Sequence, residues 1–473
     1  MRSQAARAIV ERLRSRGYEA FFAGGCVRDL LLGRTPQDFD VATSALPQVV
    51  LDLFERTFSV GAHFGVVLVA DEIGGHEITT EVATFRSDGA YSDGRRPDSV
   101  RFSDSAEEDV ERRDFTINGM LLDPLLLDPE ALLGGGPVES VASAVHDFVG
   151  GRADLAAGLV RAIGDPVQRF SEDKLRMLRA VRFAARFDFD IEPATAAAIR
   201  AHARAIDQVS SERVRDEVTR MLTEGRARRA FELLDETGLL VEILPEISRM
   251  KGVDQPPEFH PEGDVFLHTM LLLEKLEPGV PATLAWGALL HDAGKPATFE
   301  RASDRIRFNG HVEVGVRMAE AILKRLRFSN EDTDQILSLV QNHMRFGDVG
   351  RMKESTLKRF LRLPKFEEHL ALHRMDVLSS FGDLTLYHFA KQHYETVPPE
   401  QVRPRLLVTG QDLIAAGYKP GPEFKQMLAA AEDAQLEGRI HSREEGLALI
   451  AKAFAPIASR QQISPPPEPA PSL

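Results

Sequence analysis

Two aspartates one residue apart, in the run Asp38-Phe39-Asp40-Val41, stand shortly after a glycine pair in Gly24-Gly25-Cys26-Val27-Arg28-Asp29-Leu30-Leu31-Leu32-Gly33. On a strand, alternate side chains share a face, so Asp38 and Asp40 point one way while Phe39 and Val41 point into a core. Two carboxylates on one face repel unless a cation lies between them. A divalent ion relieves that repulsion, and Mg²⁺, which takes a few carboxylates together with substrate phosphate oxygens, is the expected occupant. The glycines let backbone approach a ligand closely and leave N–H groups free at a helix start, which favours an anion such as a triphosphate. Arg28 completes the set as a phosphate clamp. A lone Gly-Gly or Asp-x-Asp would be a surface turn or an acidic loop; their combination predicts a phosphate-transfer pocket.

The elements that position these groups follow from periodicity. Apolar residues at Ala6, Ile9, Val10 and Leu13 predict a helix over 3–16, followed by a strand at Tyr18–Phe22 and the glycine turn. A helix near 46–55 and strands at Val66–Ala70 and Glu77–Ala83 come next. Strands and helices mixed in this way indicate an α/β or α+β domain. In the last strand Ile78, Thr80 and Val82 share one face and Glu77, Thr79 and Glu81 the other. Glu81 is either a third carboxylate beside Asp38 and Asp40 or an exposed strand residue. Turn signals from Arg86 to Val100 predict a long loop of the kind that forms lids. Arg112, Arg113, Asp114 and Asn118 follow in a charged cluster whose local reading is a solvated helix end.

From about 155 to 245 the pattern is helical. Arg176, Arg179, Arg182 and Arg186 recur at helical spacing, opposite Leu175, Leu178, Val181 and Ala185, with no acidic residue among 174–186. This predicts a local basic stripe for nucleotide or RNA. An all-helical region over about 255–395 concentrates the histidines: His260, His268, His291 beside Asp292, His311 and His343, with Asp376 later. Imidazoles and carboxylates on separate helices suit a divalent metal. Gly294 directly after His291-Asp292-Ala293 predicts a helix end that exposes both side chains.

Length and composition bound these readings. A chain of 473 residues exceeds one core and predicts about three domains. A net charge of −14 excludes a general polyanion binder, because nonspecific affinity comes from phosphate neutralisation. The one cysteine, Cys26, excludes an internal disulfide framework and fits a reducing cytoplasm. Without a neighbouring histidine it reads as a small buried residue. No apolar run reaches the roughly 18 residues of a membrane span, and the N-terminus lacks a signal-peptide core, so no membrane partner is expected.

Four motifs in order carry a family resemblance: Gly24-Gly25-x-Val27-Arg28-Asp29-x-Leu31-Leu32-Gly33, Asp38-x-Asp40, Arg112-Arg113-Asp114-Phe115-Thr116-Ile117-Asn118, and Arg169-Phe170-x-Glu172-Asp173-x-Leu175-Arg176-x-Leu178-Arg179-Ala180. Together they resemble class II tRNA nucleotidyltransferases, the CCA-adding enzymes, and the histidine region resembles an HD phosphohydrolase domain. The resemblance implies an α+β head with a small mixed sheet over 1–150, and a helical neck and body over 151–250. It further implies an HD-like helical domain over 251–395 and a helical tail over 396–462; the proline content of 463–473 predicts a disordered end. It implies metal at Asp38 and Asp40; Glu81, from strand alternation alone, is counted with them as the candidate third catalytic carboxylate. It implies triphosphate at Gly24, Gly25 and Arg28, and sugar and phosphates at Arg113 and Asp114, supported by Asn118. Asp173 and Arg176, with Arg179 on the same helix, would read the base of CTP or ATP. The implied reaction adds CCA, or its terminal A, to the tRNA 3′ end. His268, His291, Asp292 and Asp376 are the implied metal ligands of the HD-like site, with His311 and His343 available for a second metal or phosphate. A bacterial poly(A) polymerase, and a metal phosphohydrolase whose N-terminal part binds RNA, remain alternatives on sequence alone.

Overall fold

A computed structural model describes residues 1–59, 65–89, 99–134, 138–258 and 260–454. By contact they form two compact units. The first comprises Met1–Val253, Val265–Trp286 and Glu320–Ser329; the second comprises Asp254–Asp264, Gly287–Ala319 and the chain from Asn330 onward.

The first unit opens with the helix Arg2–Ser15, which buries Ala5, Ala6, Ile9, Val10 and Leu13, the face its spacing predicted. The strands that follow are β1 (Ala20–Ala23), β2 (Asp40–Thr43), β3 (Thr57–Phe58), β4 (Val66–Ile73) and β5 (His76–Thr84). After them come β6 (Arg86–Asp88), β7 (Val100–Phe102), β8 (Met120–Leu122) and β9 (Val145–Asp147). Seven of these make one mixed sheet in the order β3-β4-β5-β2-β1-β8-β9, in which β2 and β5 run parallel and the other neighbours antiparallel. Alternation along β5 is as expected: Ile78, Thr80 and Val82 are buried while Glu77, Thr79 and Glu81 are exposed.

Two local expectations change. The ladder of β2 begins at Asp40, so Asp38 lies just outside the strand, although Phe39 and Val41 are buried and Asp38 and Asp40 exposed, as the pleat requires. The proposed lid is partly a β-ladder, because β6 pairs with β7 through Arg86↔Phe102 and Asp88↔Val100. The lid residues 90–97 and the proline-rich end lie outside the described residues.

Beyond the sheet the first unit is mainly helical. Helix Pro166–Glu172 leads into helix Leu175–Phe187, which packs on Ser211–Thr223 and Ala227–Glu236. In the second unit Phe346, Phe360 and Phe366 form an aromatic core with Leu357, Leu361 and Leu370. No helix among the described residues is long and apolar enough to cross a membrane.

Candidate active site and a second cavity

Sheet register brings the acidic residues together. Val41 pairs with Val82 across the parallel β2–β5 ladder, which sets Asp40 beside Glu81; Ala23 pairs with Asp40 on the other side. The chain therefore leaves β1 into Gly24-Gly25 next to that acidic pair. Gly24, at φ 73°, opens the short helix Gly25–Leu31 from a conformation that disfavours side chains, and a Cβ there would lie 3.4 Å from Arg113 Nη1. Asp40, Glu81, Gly24, Gly25 and Arg113 line one cavity of about 560 Å³ with Arg28, Asp114, Asn118, Asp173, Arg176 and Arg179. Asp38 is not among the lining residues; it is exposed and accepts from Arg2 Nη1 at 3.0 Å.

Although the Asp40 side chain opens onto the cavity, desolvation by the surrounding walls, then the Glu81 carboxylate and Asp38, push its pKa up to about 6, against which Arg113 is the opposing charge. Crowded carboxylates of this kind are a donor set for a hard cation such as Mg²⁺. Burial also pushes the Cys26 thiol up to about 12, which suits a packed residue and not a nucleophile.

The cationic groups around the cavity are held by carboxylates. Arg28, 4% exposed, gives Nε and Nη2 to Asp29 Oδ1 at 3.0 and 2.8 Å and Nη1 to Asn118 Oδ1 at 2.6 Å. It is thus braced within the wall. Asp109 receives Arg112 at 2.6 Å and Arg113 at 2.8 Å, fixing the arginine that overlies Gly24. Asp114 accepts Arg179 Nε and Nη2 at 2.8 and 2.5 Å. Burial raises the Asp114 pKa, but the Arg179 guanidinium outweighs it and holds the group below the usual carboxylate range. Arg176 is fixed by Glu172 Oε2 at 2.6 Å and by the carbonyls of Arg169 and Arg112, both at 3.1 Å.

The basic stripe is the expectation that tertiary structure revises most. Arg182 is buried, donating to Glu217 at 2.7 Å and Glu224 at 3.3 Å, and Arg186 meets Glu224 at 3.2 Å. With Arg176 on Glu172 and Arg179 on Asp114, all four arginines are paired. The helix carries no acid of its own because the acids arrive from elsewhere in the fold.

Arg213 was missed by sequence reasoning. It lines the cavity and clamps Asp173 through Nη1–Oδ1 at 3.1 Å and Nη2–Oδ2 at 2.7 Å. Its neighbours Ser211-Glu212 hold no signal for this. Asp109 was discoverable, since it stands three and four residues before Arg112 and Arg113.

The second unit has its own cavity, about 380 Å³, mostly apolar in its lining. Asp292, Lys295, His311, His343 and Asp376 contribute polar groups and Phe308, Met344 and Phe381 apolar walls. His291 and Asp292 are buried, contrary to the exposed helix end expected from Gly294. The glycine is required sterically instead: a Cβ there would lie 2.1 Å from the His311 carbonyl oxygen and 2.5 Å from Gly315 N. Asp292 Oδ2 receives Lys295 Nζ at 2.7 Å and lies 3.2 Å from His291 Nε2. Burial opposes its charge, but Lys295 and the imidazoles hold the carboxyl well below its usual range. His343 is pushed down to about 4 by burial. His268, the remaining implied ligand, is buried on the helix Val265–Leu273 of the first unit.

Three family models match this chain: the poly A polymerase head domain over residues 20–161, the probable RNA and SrmB-binding site of polymerase A over 188–251, and the HD domain over 264–380. A CCA-adding enzyme of Levilactobacillus brevis is 30% identical over 451 residues, covering 93% of this chain and 96% of the relative. One from a Geobacillus species is 31% identical over 456 residues, covering 93% and 95%. Among solved structures, the Bacillus stearothermophilus CCA-adding enzyme in complex with CTP aligns at a TM-score of 0.70 with 26% identity, covering 97% of this chain and 98% of that one.

Proposed function

The chain belongs to the CCA-adding enzymes, and on that premise we propose that the cavity of the first unit extends tRNA 3′ ends with CTP and ATP, releasing pyrophosphate. The observation that carries this reading is the register that sets Asp40 beside Glu81 at the glycine turn, inside a cavity that also holds Asp173 and Arg176. Asp40 and Glu81, with Asp38 at the rim, would hold Mg²⁺, which supplies charge neutralisation at the reacting phosphate and lowers the pKa of the attacking 3′-hydroxyl. Gly24 and Gly25 let the triphosphate approach backbone, and Arg113, steadied by Asp109, faces it. Arg28 acts by bracing this wall through Asp29 and Asn118. The chain's part in the chemistry is positioning and electrostatic stabilisation.

Base choice is assigned to Asp173 and Arg176. Asp173 Oδ1 already accepts Leu175 N at 3.0 Å and Arg213, while Oδ2 accepts only Arg213 among these contacts, which leaves an acceptor position for an exocyclic amine. Arg176 keeps donors beyond those given to Glu172 and the two carbonyls, suited to the adjacent ring nitrogen. Cytosine and adenine share that amine-beside-acceptor edge; uracil and guanine do not. A reducing cytoplasm suits this work and the single buried thiol.

The second cavity is separate from this reaction. The family resemblance assigns its metal to His291, Asp292 and Asp376 together with His268, and a phosphoester hydrolase is the activity such ligands would serve. The test of the main reading uses tRNA lacking its 3′ end with CTP, ATP and Mg²⁺. We expect a three-nucleotide extension that Asp40→Ala abolishes; long A tails formed without CTP would overturn it in favour of poly(A) synthesis.

A further inference from the structure

We propose that Phe183 is a positioning residue of the nucleotide cavity, whose ring holds the guanidinium groups of Arg28 and Arg179 and so fixes the Asp114 and Asn118 wall between them. The inference rests on reading that cavity as the site of nucleotide addition.

The hydrogen bonds around this ring form a chain that only the ring closes. Arg28 Nη1 donates to Asn118 Oδ1 at 2.6 Å, and Asn118 Nδ2 donates to Asp114 Oδ1 at 3.3 Å. Asp114 Oδ2 then accepts Arg179 Nε and Nη2 at 2.8 and 2.5 Å. The two ends of this chain are like charges, which repel. Phe183 meets both of them: Arg179 Cζ stands 5.2 Å and Arg28 Cζ 5.4 Å from its centroid. Each distance is within the reach at which a ring face attracts a cation. Phe183 is buried on the helix Leu175–Phe187 and lines the cavity, while Arg28 lies on the helix Gly25–Leu31. The ring therefore ties the helix of the glycine turn to the helix that carries Arg176 and Arg179.

A ring face suits what hydrogen bonding leaves over. A guanidinium points its N–H groups outward in its own plane and leaves its two faces for stacking. Arg28 spends Nε, Nη1 and Nη2 on Asp29 and Asn118, and its Cζ also stands 4.4 Å from the Phe187 centroid. Burial lowers the Arg28 pKa and Asp29 opposes that; in such a dry site a cation gains more from a ring face than it does in water.

Phe183 itself is fixed by other rings. Phe187, one helical turn on, stacks on it with centroids 6.2 Å apart and planes at 15°. Phe115 meets it edge-on at 5.9 Å and 81°. Arg182 Cζ, 4.3 Å from the same ring, is already bound to Glu217 and Glu224, and its share is in holding the helices together. A leucine at 183 would fill much of this space but would offer no negative face to Arg28 or Arg179.

The test places 4-fluoro-, 3,5-difluoro- or 3,4,5-trifluorophenylalanine at position 183 of the full-length protein. Fluorine withdraws charge from the ring face in steps and nearly preserves its shape, whereas Phe183→Leu also removes a core ring, so the fluorinated series decides. Steady-state kcat and KM for CTP and ATP are read with Mg²⁺ on tRNAs truncated before each addition, and urea unfolding confirms that every variant is folded under assay conditions. We expect kcat/KM to fall with each added fluorine, reaching about 3- to 10-fold at three. The fall should be equal for CTP and ATP and leave the preference for CTP over UTP unchanged, because base choice lies with Asp173 and Arg176. The same residues at Phe231, buried on the helix Ala227–Glu236 and with no guanidinium over its ring among the described residues, should leave kcat/KM within about twofold. A flat series at Phe183, or an equal decline at Phe231, would overturn the assignment. Long A tails made by wild type without CTP would overturn the CCA reading alone, and the series then decides on ATP incorporation.

Discussion

Replacing Glu81 by Gln should move the pH dependence of the nucleotide-adding site to lower pH. Desolvation by the cavity walls and then Glu81 are the leading causes that push Asp40 up to about 6 from 3.8. With a midpoint near 6, Asp40 is about nine-tenths ionised at pH 7 and about one-tenth at pH 5. A metal must displace that proton, so apparent Mg²⁺ affinity in wild type should fall about tenfold between those pH values. In the Gln variant one negative neighbour is gone while desolvation and Asp38 still hold the group above 3.8, so the midpoint falls below that of wild type and the loss of affinity from pH 7 to 5 is smaller than in wild type. The variant's absolute affinity also falls if Glu81 is a ligand, so the readout is the midpoint and not the value at one pH. The linked effect on stability has a definite sign. Metal-free native protein binds the Asp40 proton more tightly than the unfolded chain, so its stability declines as pH rises through 3.8 to about 6. The assay is the apparent Mg²⁺ requirement for CTP incorporation into truncated tRNA at fixed nucleotide, from pH 5 to 8. Identical midpoints in wild type and Glu81→Gln would refute the argument, as would a wild-type requirement unchanged between pH 7 and 5.

Three further outcomes are expected. Asp173→Asn removes a charged acceptor clamped by Arg213, and should lower kcat/KM for CTP by about 10- to 100-fold and narrow its preference over UTP, measured by competitive incorporation. Arg182→Met leaves Glu217 buried without its guanidinium and should cost about 3–5 kcal/mol in urea unfolding, most of it recovered in Arg182→Met/Glu217→Leu. Failure of the double variant to recover would assign the cost to packing instead. Gly294→Ala places a Cβ 2.1 Å from the His311 carbonyl and should destabilise the second unit by about 1–3 kcal/mol, seen by calorimetry, with nucleotide addition retained.

Much of the active site was legible because its logic is local. Period-two alternation is set by strand geometry, so the exposed row of Glu77, Thr79 and Glu81 and the buried Phe39 and Val41 could be read directly. Gly24 was legible because a tight turn with positive φ selects glycine. The order of motifs carried the family and the mixed-sheet head. Gly294 was noticed for the wrong reason: a glycine after a helical run signals a helix end, whereas here it permits backbone contact with a segment about twenty residues away.

What the chain determined by itself was the inventory: acidic residues on one strand face, a glycine turn, arginines at helical spacing and a histidine group. Only the tertiary structure decided which of those charges are free. Asp114 is 65 residues from Arg179, Asp173 is 40 from Arg213, and Arg182 is 35 from Glu217, yet each pair is within hydrogen-bonding distance. A helical wheel shows which side chains share a face but not what that face meets. Coulomb energy depends on distance in space and on burial, so the stripe that looked like an RNA surface became a set of braces, and the β2–β5 register put Glu81 beside Asp40.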